Sequence, residues 1–236
     1  MIERSSGSAP RRRFLTQLGA AVAAVTGVTV IARAQGTGQG AGHTHPAGQQ
    51  GMQHTTPHDA WMKELKGHHR QIFHATAAPV SPAQSTIAVP MLMAKNYLDA
   101  YTGPYGMKAE HVNAVIGVHG GALGIAMNDA AWTKYGLGQK ASITDPASKE
   151  PAVRNIFAAD GEYSVAALQA RGVLFIVCGT ALRIASEAWA PSVSQTPEAT
   201  LAELKASLLP GVVEVPAMVV ALNRAQEAGF TYVRAS

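Results

Sequence analysis

From residue 71 onward, short apolar runs alternate with segments of helical character. Residues 71–76 (QIFHAT) read as a first strand, followed by a Pro/Ser loop and a helix over residues 89–101. Residues 112–119 (VNAVIGVH) read as a second strand that stops at Gly120-Gly121, with a helix through Ala126, Ala130 and Trp132 to Tyr135 behind it. Residues 136–160, with Asp145-Pro146 and Lys149-Glu150-Pro151, read as an excursion on the surface. A helix over 163–171 then leads through Gly172 into the apolar run 173–177 and Cys178. Thr196-Pro197-Glu198 combines a cap, a first-turn proline and a dipole-matched acid, and opens a helix whose Leu201, Leu204 and Leu208 form one apolar stripe before Pro210-Gly211. Residues 212–215 make a fourth strand, Pro216 starts a helix that ends at Gly229, and residues 230–233 make a short fifth strand. Strands alternating with helices predict a three-layer α/β/α sandwich with a mostly parallel sheet of about five strands, because parallel neighbours need such crossovers.

The chain before this pattern is of another kind. Arg11-Arg12-Arg13-Phe14-Leu15, a weakly apolar stretch from Leu18 to Ile31 and Ala32-Arg33-Ala34 together predict a twin-arginine export signal over residues 1–34 and a periplasmic mature chain starting at Gln35. The apolar stretch is short for a membrane span, so no span is expected after cleavage. Residues 35–60 are rich in Gly, Gln, Thr and His and poor in large apolar residues, the composition of a disordered linker; the α/β domain takes residues 61–236.

Export changes the charge argument. Five of the 19 Lys and Arg and one of the 15 acids precede Gln35, leaving 14 of each. The basic balance therefore belongs to the signal, and no cationic stripe remains to suggest nucleic acid. One cysteine cannot form an intramolecular disulfide in an oxidising compartment, so Cys178 is a buried residue, a reactive thiol or an intermolecular bridge.

The candidate chemistry concentrates at two places. Cys178 stands where a strand hands over to a helix, and amides at a helix start favour a thiolate; a lone cysteine ending a strand is equally a small hydrophobe. His119, before Gly120-Gly121, ends another strand on the same edge of a parallel sheet. There it serves as the base for the thiol or simply caps the strand by bonding a backbone carbonyl. Asn128, Asp129 and Arg183 fall near that edge as helix residues. Gly120-Gly121-Ala122-Leu123-Gly124 lacks the spacing of a dinucleotide site or a P-loop and reads as a tight strand-to-helix turn. Seven of the nine histidines lie between residues 43 and 74. Among them His43, His45, His54 and His58 are the candidate ligands for a transition metal, the one cofactor the sequence suggests, or else an incidental feature of a polar tether.

Three strings carry a resemblance: residues 172–183 (GVLFIVCGTALR), 208–217 (LLPGVVEVPA) and 225–233 (AQEAGFTYV). They resemble the DsrE/DsrF-like family, over about residues 71–234. The resemblance implies a flavodoxin-like α/β/α fold, a homo-oligomer, and a sulfur relay in which Cys178 accepts sulfur as a persulfide from a donor and passes it to an acceptor protein. This chain departs from the family's cytoplasmic relay proteins in its export signal and its His-rich tether. A metal- or ligand-binding module without catalysis is the alternative.

Overall fold

The computed structural model describes residues 56–77, 80–81, 84–159 and 161–235. Five strands form its sheet: β1 (His69–Ala75), β4 (Val112–Val118), β5 (Leu174–Cys178), β6 (Val213–Val215) and β7 (Thr231–Arg234). All neighbours are parallel and the order is β6-β5-β4-β1-β7. The buried strands are near-continuous apolar runs: Ala114, Val115, Ile116 and Val118 in β4 and Phe175, Ile176 and Val177 in β5 are fully excluded from solvent. Runs of this kind are what a sheet covered on both faces requires.

The helices are α1 (Val89–Thr102), α2 (Asp129–Tyr135), α3 (Leu137–Lys140), α4 (Val165–Ala170), α5 (Gly179–Trp189), α6 (Pro197–Ala206) and α7 (Met218–Glu227). From β1 through β4 and β5 to β6 the chain steps across the sheet in one direction, so right-handed crossovers put α1 to α6 on one face. The step from β6 back to β7 reverses, and α7 lies on the other. Two contacts fix the faces. Phe73 of β1 meets Tyr97 of α1 edge-on, with ring centroids 5.8 Å apart. Gly117 of β4, on the opposite side of the pleat, lies under Met218 of α7; a Cβ there would come within 2.7 Å of its sulfur. The result is the three-layer α/β/α sandwich that the alternation of elements predicts, of the flavodoxin-like kind that the resemblance implies.

Several elements differ from the sequence reading. The Pro/Ser loop after β1 contains an antiparallel pair, β2 (Val80–Ser81) and β3 (Gln84–Ala88). The helix expected to run through Ala126 to Tyr135 is instead a 3-10 helix, Gly120–Ala126, then an extended break and α2, whose N-cap Asn128 accepts from the Ala131 amide at 3.1 Å. Leu208 lies beyond α6, where it bridges to Met127. The last four residues of the stretch read as linker already belong to the domain. Pro57–Met62 form a 3-10 helix with a capping box between Thr56 and Asp59, and Asp59 and Trp61 are buried. Arg224 of α7 grips Asp59 at 3.0 Å, and Trp61 packs on Phe230.

The largest correction concerns residues 136–160. Their Pro-rich, charged tip is exposed, closed by Asp145, whose carboxylate accepts from the amides of Ala147 and Ser148. The two arms are core: Ile143, Ala152, Ile156 and Phe157 are buried, and Phe157 meets Trp132 edge-on. Asn155, only 3 % exposed, fastens the returning arm. Its side-chain amide donates to the carbonyls of Gly124, Ile125 and Met127 at 3.2, 3.1 and 2.6 Å, and its Oδ1 accepts from the Phe157 amide at 2.9 Å. A buried polar group with all its partners contributes little by itself, but removing it strands several others. Asn155→Leu is expected to cost about 2–4 kcal/mol in urea unfolding. Asp145→Ala at the tip is expected to leave the urea midpoint close to that of the wild type.

Candidate functional site

β5 and β6 are neighbours whose following helices leave for opposite faces, α5 with the other crossovers and α7 alone. This is the switch point of the sheet, where α/β folds open a crevice at the strand ends. Cys178 stands there as the last residue of β5 and the N-cap of α5. Its Sγ accepts from the amide of Ala181 at 3.4 Å and from that of Met218 at 3.3 Å, so the first turns of both helices donate to one sulfur. The two helix starts are tied together beside it: Thr180 donates both its amide and its hydroxyl to the Pro216 carbonyl, at 3.1 and 3.0 Å. Gly179 permits the approach, since a Cβ there would meet Glu214 and the Val215 carbonyl. Cys178 is 5 % exposed.

Side chains at paired positions of parallel strands share a face and alternate along each strand. Ile176 pairs with Gly117, Gly117 with His74, and His74 with Arg234. Cys178, His119, His74 and Tyr232 therefore lie on one face, one from each of four adjacent strands in the order β5, β4, β1, β7. His119 and Cys178 each follow the Val118–Val177 pair and are consecutive register positions. Gly120, at φ +58°, takes the left-handed turn that releases the chain after His119, and the His119 amide bonds the Ala75 carbonyl at 3.1 Å.

The His119 ring does not bond a backbone carbonyl, as a strand cap would. Its Nδ1 lies 2.9 Å from Nε2 of His74, and Nδ1 of His74 lies 3.1 Å from the Tyr232 hydroxyl. The two imidazole planes are within 9° of parallel. With their centroids 4.7 Å apart the rings are parallel and offset, and the 2.9 Å between Nδ1 and Nε2 is the length of an N–H···N hydrogen bond. Such a bond requires one ring to donate and the other to accept, and burial supplies that condition. Desolvation lowers the pKa of His74, helped by the neighbouring charges of His119 and Arg234, and desolvation lowers that of His119. Both are neutral near pH 7.

The other residues singled out from the sequence have structural work. Asp129 accepts from the Asn155 amide at 2.8 Å, and Arg183 pairs with Glu187 one turn along α5. The glycines after His119 line a cavity of about 70 Å³ walled by Leu123, Trp132, Leu137 and Trp189, an apolar gap under a tight turn. Of the metal candidates, His43, His45 and His54 lie outside the described residues, and His58 is exposed on the first 3-10 turn. Among the described residues no group of three or more His, Cys, Asp and Glu is placed to hold a metal ion, and no helix is long and apolar enough to cross a membrane. Sequence reasoning reached Cys178 and His119 and missed His74, Tyr232 and Met218. The available signal was the period of two in β1, which puts a histidine next to the strand end on the face of Ile72.

No family model and no curated protein matches the chain. Among solved structures it is similar to MTH1491 from Methanobacterium thermoautotrophicum, described as a protein of unknown function, at 16 % identity over 70 % of this chain and 98 % of that one, with a TM-score of 0.37.

The ionisable groups set a pH signature. His74 and His119 are held below their ordinary value of 6.5, so the unfolded chain takes up these protons first and stability falls as pH drops below 6.5 through the two lowered values. Asp59 is held below its ordinary 3.8, chiefly by hydrogen bonds from Arg224, and Asp99 by Lys95 and then Arg171. Their contribution is complete above the usual carboxylate range and is lost as pH falls through the depressed values. Thermal unfolding followed from pH 8 to 3 should show two separate losses of stability, and His74→Phe should remove part of the upper one while leaving the lower one in place.

Proposed function

We propose that this chain is an exported sulfur-handling protein that accepts sulfane sulfur on Cys178 and passes it on. The observation that carries the reading is the position of the thiol: at the switch point of the sheet, with the amides of two helix starts directed at one sulfur. Backbone N–H groups and helix N-termini stabilise a thiolate, and a later hydropersulfide anion, better than they do a neutral thiol. The resemblance of residues 172–183, 208–217 and 225–233 to the DsrE/DsrF-like family supports the same assignment, and one cysteine per subunit suffices for it.

In the accepting step the Cys178 thiolate attacks the terminal sulfur of a persulfide or polysulfide donor. A new S–S bond forms at Cys178 while the donor's S–S bond breaks and its remainder leaves as a thiolate, so no outside oxidant or reductant is used. In the passing step an acceptor thiolate attacks the terminal sulfur and Cys178 leaves as a thiolate. With Cys178 only 5 % exposed, the residues packed over its sulfur must give way for a donor to reach it.

Intact mass spectrometry of the purified mature protein after brief exposure to inorganic polysulfide tests the reading. The expected result is a gain of one sulfur atom per chain that dithiothreitol reverses and Cys178→Ser abolishes. No adduct on a thiol that still alkylates would refute sulfur acceptance. Titration of the same protein with copper(II) and zinc(II) tests the other candidate, metal capture by the segment holding His43, His45, His54 and His58, which would survive Cys178→Ser.

A further inference from the structure

We propose that Tyr232, His74 and His119 form a two-way proton relay along the carboxyl edge of the sheet, taking the proton of Cys178 when sulfur is accepted and returning it when sulfur leaves. The proposal rests on the sulfur-accepting reading of Cys178 and adds to it two positioning residues, His74 and Tyr232, and a direction of proton flow.

The argument starts from donors and acceptors. A neutral imidazole has one N–H and one lone pair, and a phenol has one O–H and lone pairs on its oxygen. In the row Tyr232 Oη, His74 Nδ1 and Nε2, His119 Nδ1 and Nε2, each bond must contain one proton. Only two neutral arrangements satisfy that. In the first, both rings carry their proton on Nδ1: His119 donates to His74, His74 donates to Tyr232, the tyrosine O–H points to solvent, and Nε2 of His119 is a bare lone pair. In the second, Tyr232 donates to His74, His74 donates from Nε2 to His119, and Nε2 of His119 carries a proton.

The two arrangements differ by one proton entering at Nε2 of His119 and one leaving from the Tyr232 hydroxyl, with no ring left charged. His119 and Cys178 each follow the Val118–Val177 pair on the same face, with neighbouring strands about 4.8 Å apart; Sγ keeps its hydrogen bonds to the Ala181 and Met218 amides and none joins it to Nε2 of His119, so one water carries the proton between them. Tyr232 is 40 % exposed, which gives the far end of the row its contact with water. Accepting sulfur requires the thiol to lose a proton, and the first arrangement takes it. When Cys178 leaves as a thiolate in the passing step, the second arrangement gives the proton back and the row returns to its starting state.

The surroundings keep the row neutral. Burial disfavours imidazolium at both rings, and Arg234, paired with His74 across β7, opposes a positive charge there further. On this face α7 has no charged residue before Arg224, and Arg224 is engaged with Glu227 and with Asp59 of the 3-10 helix Pro57–Met62. No carboxylate of these elements is hydrogen-bonded to either ring, so nothing anchors a fixed positive charge at one point of the row.

The test uses the mature protein and its Tyr232→Phe, His74→Gln and His119→Gln variants. Iodoacetamide alkylation of Cys178 is followed from pH 5 to pH 10.5, with ¹⁵N spectra of the imidazole nitrogens recorded in parallel. At pH 7 each variant is expected to react about tenfold more slowly than wild type, and at pH 10.5, where hydroxide takes the thiol proton, at the same rate. In wild type His74 and His119 are expected to share one tautomer, and Tyr232→Phe is expected to break that agreement. A general packing defect would change the rate at both pH values, whereas loss of the relay changes it only near neutrality. Wild-type rates at pH 7 in Tyr232→Phe and His74→Gln, or opposite tautomers on the two rings in wild type, would overturn the relay. These readouts need no sulfur transfer, so a negative polysulfide experiment with a positive alkylation profile would count against sulfur acceptance while leaving the relay in place.

Discussion

Everything at the site depends on the reversal of direction at the step from β6 back to β7. Four strands are laid down in one direction, and the fifth joins at the far edge, beside β1. The connection that carries it there must cross the bare face of the sheet. That connection is α7. Its first turn therefore begins beside the first turn of α5 but heads the other way, and the two sets of unpaired amides face one point. Cys178 occupies that point. The double hydrogen bond of Thr180 to the Pro216 carbonyl holds the two starts together, and Gly117 and Gly179 provide the room. The sulfur environment is thus a consequence of topology, in which no charged side chain takes part.

The same reversal explains the histidines. With α1 to α6 all on one face, the other is covered, among the described residues, by α7 and the 3-10 turn Pro57–Met62. That turn is fastened to the C-terminal half of α7 through Asp59 and Arg224, away from the strand ends. The carboxyl edge of β4, β1 and β7 on this face is left partly open. Apolar residues there would face water; fully charged ones would face the sheet. Half-buried neutral imidazoles and a tyrosine, bonded to one another, satisfy both conditions, at the cost of stability in acid when the rings are forced to charge.

What could be read from the residues divides by range. The strands at 112–118 and 174–178 and the helix starts at Val89 and Pro197 were legible because each is a local pattern: a continuous apolar run, a cap, a first-turn proline. Cys178 and His119 were legible for the same reason, as strand-end residues ahead of glycine. The arms of residues 136–160 were not. Their prolines and charges mark the tip correctly, but Asn155 is a core residue only because the carbonyls of Gly124, Ile125 and Met127 converge on it from about thirty residues away. The break in the expected helix at Met127 has a similar origin, since Met127 bridges to Leu208 and Asn128 takes up the Ser207 carbonyl.

His74 and Met218 fall outside local reading for a further reason. A histidine in an apolar strand gains a role only from the strand beside it, and β1 has neighbours on both sides, β4 at residues 112–118 and β7 at the far end of the chain. The pairing His74 with Gly117 and Arg234 brings together residues separated by 43 and 160 positions, and each pairing follows from the strand order, not from any spacing in the sequence. A chemistry built this way has a physical consequence. Shifting β1 by one residue against β4 would turn His74 to the α1 face and separate it from both His119 and Tyr232, while leaving every local motif intact. The Phe73–Tyr97 contact and the fully buried Ile72 on opposite sides of the pleat oppose that slip. The apolar alternation of β1, which looks like core packing and nothing more, is what keeps the polar row in register.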